Sequence, residues 1–179
     1  MKTQILGDGV AAMMLASHAD ELPNHEISIV HPSGAPITRD HMLGFWKMDG
    51  LEMAVESSRT SWSKWAIITE ANKSVMHSDK HAYHIMHKAN YLHNCREKAE
   101  QHGVKFIEES EMIISESTQT FDSRPPRASK NAMLQHFLGQ EVEVDKPVFD
   151  PSTAILMDFR VDQSKGMHFI YLLPYSPTQ

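Results

Sequence analysis

The sequence predicts an α/β fold, a parallel βαβ unit at the N-terminus followed by the beginning of an antiparallel sheet. Three observations carry that prediction. A short apolar run near the start closes on two glycines spaced by one residue, a second β-branched run follows one helix later, and beyond Asn131 apolar and polar residues alternate. A helix between two short apolar strands is the pattern of a parallel crossover. Alternation is the mark of strands buried on one face only.

Thr3 to Leu6 reads as a strand cut almost to its minimum, Val10 to Ala19 as a helix with small residues toward the sheet, and Glu26 to Val30 as the second strand. In the turn Gly7-Asp8-Gly9-Val10-Ala11-Ala12, Gly7 allows a tight exit from the strand. Gly9 lets backbone approach a pyrophosphate, and Ala12 lets the helix pack closely. The helix then aims free N–H groups and its positive end at the phosphates. Two readings of this turn stand: a dinucleotide site of the Rossmann-like kind, or a strand-to-helix junction that uses glycine for its backbone alone. The second strand of a dinucleotide unit usually ends in Asp or Glu, which holds the ribose hydroxyls. Here His31 stands in that place, and an imidazole lacks the paired oxygens of a carboxylate.

The stretch from about 32 to 75 is irregular and contains Trp46, Trp62 and Trp65. It reads as an insertion whose aromatics either line an apolar ligand site or form the core of a small subdomain. Ser78 as N-cap and Gly103 as stop bracket a long helix over 79–102, with an apolar stripe of Ala82, Ile85, Met86, Ala89 and Leu92. His77, just before that helix, and His81, His84 and His87 on it fall mostly on the polar face at helical spacing and are expected to be solvated. A metal site needs three or four convergent ligands, and no carboxylate or cysteine completes such a set here, so no metal is expected. Cys95 reads as an inert, partly buried thiol. Short strands are expected at Val104 to Ile107, Glu111 to Ser115 and Thr118 to Phe121.

Hydrophobic residues at 41% and charged residues at 22% describe an ordinary globular chain. A formal charge of −6 without dense Lys/Arg clusters argues against a nucleic-acid partner. One cysteine excludes an internal disulfide and fits a reducing compartment. No apolar run reaches membrane-spanning length and no secretory signal is visible. The expectation is therefore a cytoplasmic protein, with peripheral membrane contact left open.

Further along stand Gln135-His136-Phe137-x-Gly139, Val142-Glu143, Pro147-x-Phe149-Asp150-Pro151, Leu156-Met157-Asp158-Phe159-Arg160 and Leu173-Pro174-x-Ser176-Pro177-Thr178. In these blocks the chain resembles the bacterial lycopene cyclase family of flavoproteins. The glycine turn, the tryptophan-rich stretch, Ile85-x-His87 and Asp122-Ser123-Arg124 follow in family order. The resemblance implies an FAD-binding Rossmann-like region over 1–130 that includes the insertion. A partial substrate-binding antiparallel sheet over 131–179 follows it. It implies reduced FAD as cofactor, NAD(P)H as reductant and an apolar carotenoid as substrate. Gly7, Gly9, Ala12, His31, His87, Lys88, Asp122 and Arg124 are the implied cofactor-binding residues. His87-Lys88 stands where the family tends to have an arginine near the flavin phosphates.

The implied reaction closes the ψ-ends of lycopene into β-ionone rings by protonation and deprotonation, with no net electron transfer. Asp158 and Arg160, charged residues in an apolar strand, are the catalytic candidates: on alternate positions they share one side and can pair near flavin or substrate, or else pair to orient the sheet. The resemblance covers about the first half of such an enzyme, and the glutamate credited with acid chemistry in the family is expected beyond Gln179. Residues 1–179 alone are therefore expected not to cyclise lycopene. The rival readings are a different FAD-dependent oxidoreductase, of hydroxylase or halogenase type, and a truncated module that binds a nucleotide without catalysis.

Overall fold

The computed structural model describes residues 1–34, 40–113, 115–126, 129–133 and 135–179. The first elements are β1 (Lys2–Leu6), α1 (Val10–Ser17), β2 (Glu26–His31), β3 (Met42–Trp46), α2 (Glu52–Glu56), β4 (Ser58–Trp62), β5 (Lys64–Ile68) and β6 (Lys73–His77). They are followed by β7 (Tyr83–His87), α3 (Lys88–Gln101), β8 (Lys105–Glu108), β9 (Thr118–Asp122), β10 (Ala154–Asp158) and β11 (Ile170–Leu172). The chain divides into two compact units: Met1–Met42 with His87–Met133, and Leu43–Met86 with Leu134–Gln179.

The first unit is the expected α/β body. Its sheet has the order β8-β2-β1-β9, and every neighbouring pair is parallel. That is the order 3-2-1-4 of a doubly wound nucleotide-binding half. Thr3, Gln4, Ile5 and Leu6 of β1 are all buried, as a central parallel strand covered on both faces requires. Helices α1 and α3 pack on each other mostly through small side chains. Ala12, Ala16 and Ser17 of α1 and Tyr91, Cys95 and Ala99 of α3 are buried. Cys95 is completely enclosed, deeper than expected, and burial pushes its thiol up, away from the reactive thiolate.

Gly103 ends α3 as its position predicts. It takes φ +79°, and the bonds Val104 N to Ala99 O and Gly103 N to Glu100 O form a Schellman closure. The start of that helix is a correction. Residues 83–87 form β7, held between β3 and β4, and the helix begins only at Lys88. The stripe Ala82, Ile85, Met86 fits two periods, and strand partners on both sides decide for the extended one. Ser78 does accept the N-cap-like bond, from His81 N at 3.0 Å, but it closes a turn and not a helix. His84 is consequently not solvated. It is 7% exposed, stacks on Phe45 and lies 3.0 Å from Ser58 Oγ, and burial lowers its pKa.

Two further expectations change. Residues 109–111 form a 3-10 turn in place of the start of a strand over 111–115, of which Ile114 lies outside the described residues. The second unit is not purely antiparallel and not purely C-terminal. Its four-stranded sheet runs β11-β10-β5-β6, with β10 parallel to β5, so the tryptophan-rich stretch supplies half of it. Among the described residues, 135–153 contribute no strand. Pro147 and Pro151 interrupt the alternation, and Val144, Val148 and Phe149 donate their N–H groups to Thr178 and Pro177 carbonyls instead. Arg59 holds this segment, pairing with Glu141 and stacking on the Tyr175 ring at 3.8 Å. The tryptophans divide: Trp62 is 2% exposed and belongs to the core, whereas Trp46 packs edge-on against Trp65 and Tyr83 nearer the surface.

Gly103→Ala is expected to lower stability by about 1 to 2 kcal/mol, the cost of a left-handed backbone with a Cβ, and Gly103→Asn by less. Gly44→Ala, whose Cβ would overlap Tyr83 Oη, is expected to cost more than either. Urea unfolding with an unchanged m-value measures all three.

Candidate dinucleotide-binding edge

β1 lies between β2 on one side and β9 on the other, so the chain leaves its carboxyl end at the point where the strand order reverses. A crevice opens there in sheets of this class. Gly7 makes the turn, with φ +98° and its N–H on Val30 O at 2.9 Å. A Cβ at this position would come within 2.8 Å of Ser123 Oγ and 3.3 Å of Arg124 Cγ. Ser123 in turn donates both its N–H and its hydroxyl to Leu6 O, at 2.9 and 2.8 Å. The turn is thus clamped from the β9 side.

Gly9 is the opposite case. Its backbone is ordinary extended chain, and nothing lies within 4 Å of where a Cβ would stand. It caps α1 without a side-chain bond, and no acidic residue occupies the first turn. The first helical bond is Met13 N to Gly9 O at 2.9 Å, so the N–H groups of Val10, Ala11 and Ala12 have no acceptor within the helix. Open space above uncapped N–H groups at the positive end of a helix suits a phosphate. Ala12 is 2% exposed, a small residue enclosed in the helix packing.

Around this turn the charged groups pair. His31 Nδ1 lies 2.8 Å from Asp8 Oδ2, and the hydrogen bond and charge of Asp8 raise the His31 pKa. Arg124 grips Asp122 through Nε–Oδ1 at 2.9 Å and Nη2–Oδ2 at 2.8 Å, which holds the Asp122 carboxyl at about 2. Glu109 accepts from Ser33 N at 2.8 Å and stands 3.8 Å from Arg124 Nη1.

Six of the eight sequence-derived cofactor residues, Gly7, Gly9, Ala12, His31, Asp122 and Arg124, therefore meet at one sheet edge. His87 and Lys88 open α3, where their contacts run to Asp40 and His41. Asp40 also accepts from Ala89 N at 3.1 Å, so a carboxylate already sits on that helix end. Sequence reasoning missed Asp8, Ser123 and Glu109. Asp8 carried a readable signal, an acid between two glycines, but its partner depends on the register of β1 with β2.

Asp158 and Arg160 belong to the second unit and pair, with Nε–Oδ1 at 2.9 Å and Nη2–Oδ2 at 2.7 Å. But β10 ends at Asp158, so the pair closes the strand end and does not sit on alternate positions of one strand as the sequence suggests. With Ile155, Val161, Ile170 and Leu172 they line an open groove of about 320 Å³. The pair is not buried, since the Arg160 side chain is 52% exposed. Arg160 holds the Asp158 carboxyl at about 2, so at neutral pH it is ionised and has no proton to donate. Among the described residues no three His, Cys, Asp or Glu side chains stand close enough to share a metal ion, and no helix is long and apolar enough to cross a membrane.

The family model described as lycopene cyclase protein matches residues 3–179. A lycopene beta-cyclase of Paracoccus sp. is 41% identical over 66 residues, which cover 36% of this chain and 17% of that protein. Among solved structures, the peptidyl tryptophan dihydroxylase QhpG aligns at 13% identity over 86% of this chain and 39% of its own, with TM-score 0.48. The tetrameric 2-methyl-3-hydroxypyridine-5-carboxylic acid oxygenase aligns at 14% identity over 60% and 31%, with TM-score 0.46. CtdE in complex with FAD and a substrate aligns at 14% over 60% and 30%, with TM-score 0.44. The chain thus spans less than half the length of each of these proteins.

Asp8→Asn is expected to bring the titration midpoint of the His31 ring, followed by NMR, down toward 6.5. Because the folded pKa is raised, the pair stabilises fully below the unfolded value near 6.5 and loses its contribution as pH rises through the folded pKa. His84, lowered by burial, works in the opposite direction, so the quantity to compare is the wild-type pH–stability curve minus that of Asp8→Asn.

Proposed function

The chain belongs to the lycopene cyclase family, and on that premise we propose that it carries the FAD-binding edge of a flavoprotein that closes the ψ-ends of lycopene into β-ionone rings. The observation that carries this reading is the open space over Gly9, set above the uncapped first turn of α1 at the strand-order reversal. The N–H groups of Val10, Ala11 and Ala12 hold the pyrophosphate, Gly7 keeps the turn narrow, and Arg124 shields the β9 side. NAD(P)H is the reductant in this reading. The reduced flavin, when bound, supplies an electron-rich ring against a developing carbocation, with no net redox change.

In the second unit, the apolar walls of the groove beside β10 and β11 suit a polyene chain. Asp158 and Arg160, which also line it, fix charge and orientation there. Their pairing leaves the opening protonation of a carbon–carbon double bond to another group, since that step needs a strong acid kept from water. A carotenoid dissolves in the lipid phase, so the protein works in contact with a membrane surface. Exposed Phe137 and Leu138 of the second unit are apolar side chains available for that contact.

Two measurements test the reading. Gly9→Val is expected to weaken FAD binding by on the order of 100-fold, about 2.7 kcal/mol, with little change in Tm, because the added side chain enters open space. Wild-type protein that shows no FAD binding by calorimetry, oxidised or reduced, would end the cofactor assignment. In lycopene-accumulating bacteria, residues 1–179 expressed alone are expected to leave lycopene unconverted, because Asp158 is paired and ionised. A longer reading frame that adds the family's acid glutamate is expected to yield β-carotene or its one-ringed precursor, whereas oxygenated pigments would point to hydroxylase chemistry.

A further inference from the structure

The glycine edge holds a carboxylate that the proposed reaction does not use. Asp8 stands between Gly7 and Gly9, and its Oδ2 meets the ring of His31, the last residue of β2, at 2.8 Å. A Rossmann unit usually presents an acidic side chain from the end of that strand. Two carboxylate oxygens accept from two ribose hydroxyls, and one imidazole nitrogen cannot replace them. The turn returns the missing carboxylate to the same corner, with its side chain 48% exposed and one oxygen engaged by His31.

The surroundings fit a nucleoside. Asp8 lines an open groove of about 170 Å³ together with Met13, Leu92, His93, Arg96 and Phe106. The Arg96 guanidinium lies over the Phe106 ring, 4.0 Å from its centre. Apolar side chains with a stacked guanidinium and ring form the kind of surface on which a flat base lies. An isolated carboxylate beside a pyrophosphate would repel it, but a protonated His31 cancels that charge, and Asp8 favours that protonated form.

We propose that Asp8, oriented by His31, takes the ribose hydroxyls of the adenosine half of the bound dinucleotide, in place of an acidic residue at the end of β2. The inference rests on the FAD reading of the glycine edge. Asp8 is the binding residue, and His31 is a positioning residue that acts through it.

The test is calorimetry on the whole chain with FAD, ADP and 2′,3′-dideoxy-ADP as probes, and with thermal melts to confirm folding. Wild type is expected to bind ADP about tenfold more tightly than the dideoxy compound, about 1.4 kcal/mol. Asp8→Ala is expected to bring that ratio near one by weakening ADP alone, with Asp8→Asn between them. His31→Ala is expected to reduce the ratio partly, and His31→Gln, which keeps a donor toward Asp8, to restore most of it. If wild type binds FAD and Asp8→Ala keeps the wild-type ratio, this assignment is overturned while the cofactor reading stands. If wild type binds neither FAD nor ADP, the cofactor reading falls and takes this inference with it.

Discussion

β1 can end where it does because the residue that follows it has no side chain. Gly7 sits at φ +98° with Ser123 and Arg124 packed against the space a Cβ would take. Three things depend on that absence. Ser123 can reach Leu6 O and fix the end of β9 beside β1; the chain can turn sharply enough for α1 to start at Val10; and Asp8 is presented toward the end of β2, where His31 meets it. An alanine there would face both a disfavoured backbone and a contact of 2.8 Å, so the strand pairing, the helix start and the charged corner would shift together. The close approach of α1 and α3 through Ala12, Ala16, Cys95 and Ala99 depends on the same helix start.

The β1–α1–β2 unit was legible in the sequence because its signals are local: glycines at the turn, a run of small and apolar residues, and a β-branched strand. Gly103 was legible for the same reason. The beginning of α3 was not, because Ala82, Ile85 and Met86 satisfy a helical and an extended period alike, and pairing with β3 and β4 decides between them. The parallel pairing of β10 with β5 is equally non-local. The site divides along the same line. Gly7, Gly9, Ala12 and Arg124 were readable from the turn and from family order, whereas the Asp8–His31 contact needs the β1–β2 register to bring its halves together.

The two units share one local device. In Asp122-Ser123-Arg124 and in Asp158-Phe159-Arg160 a strand ends on an aspartate whose carboxylate takes Nε and Nη2 of the arginine two residues on, together with that arginine's own N–H. The clamp stops the strand and fixes the guanidinium. It also neutralises the arginine. Phosphate binding at the glycine edge therefore leans on backbone N–H groups and the helix end more than on a side-chain cation, and Asp158 is an anion already engaged.

The second unit draws its four-stranded sheet from two separated parts of the chain. During synthesis β5 and β6 emerge early and can close as a hairpin, but β10, which covers the other edge of β5, follows only after α3, β8 and β9. The first unit has all of its described strands before the second can complete its four-stranded sheet. Until then β5 presents an unpaired edge bearing Ala66 and Ile68, residues that end up buried, and such an edge pairs readily with another chain. Translation order thus gives this protein a defined vulnerable interval, which begins when β5 leaves the ribosome and ends when β10 docks.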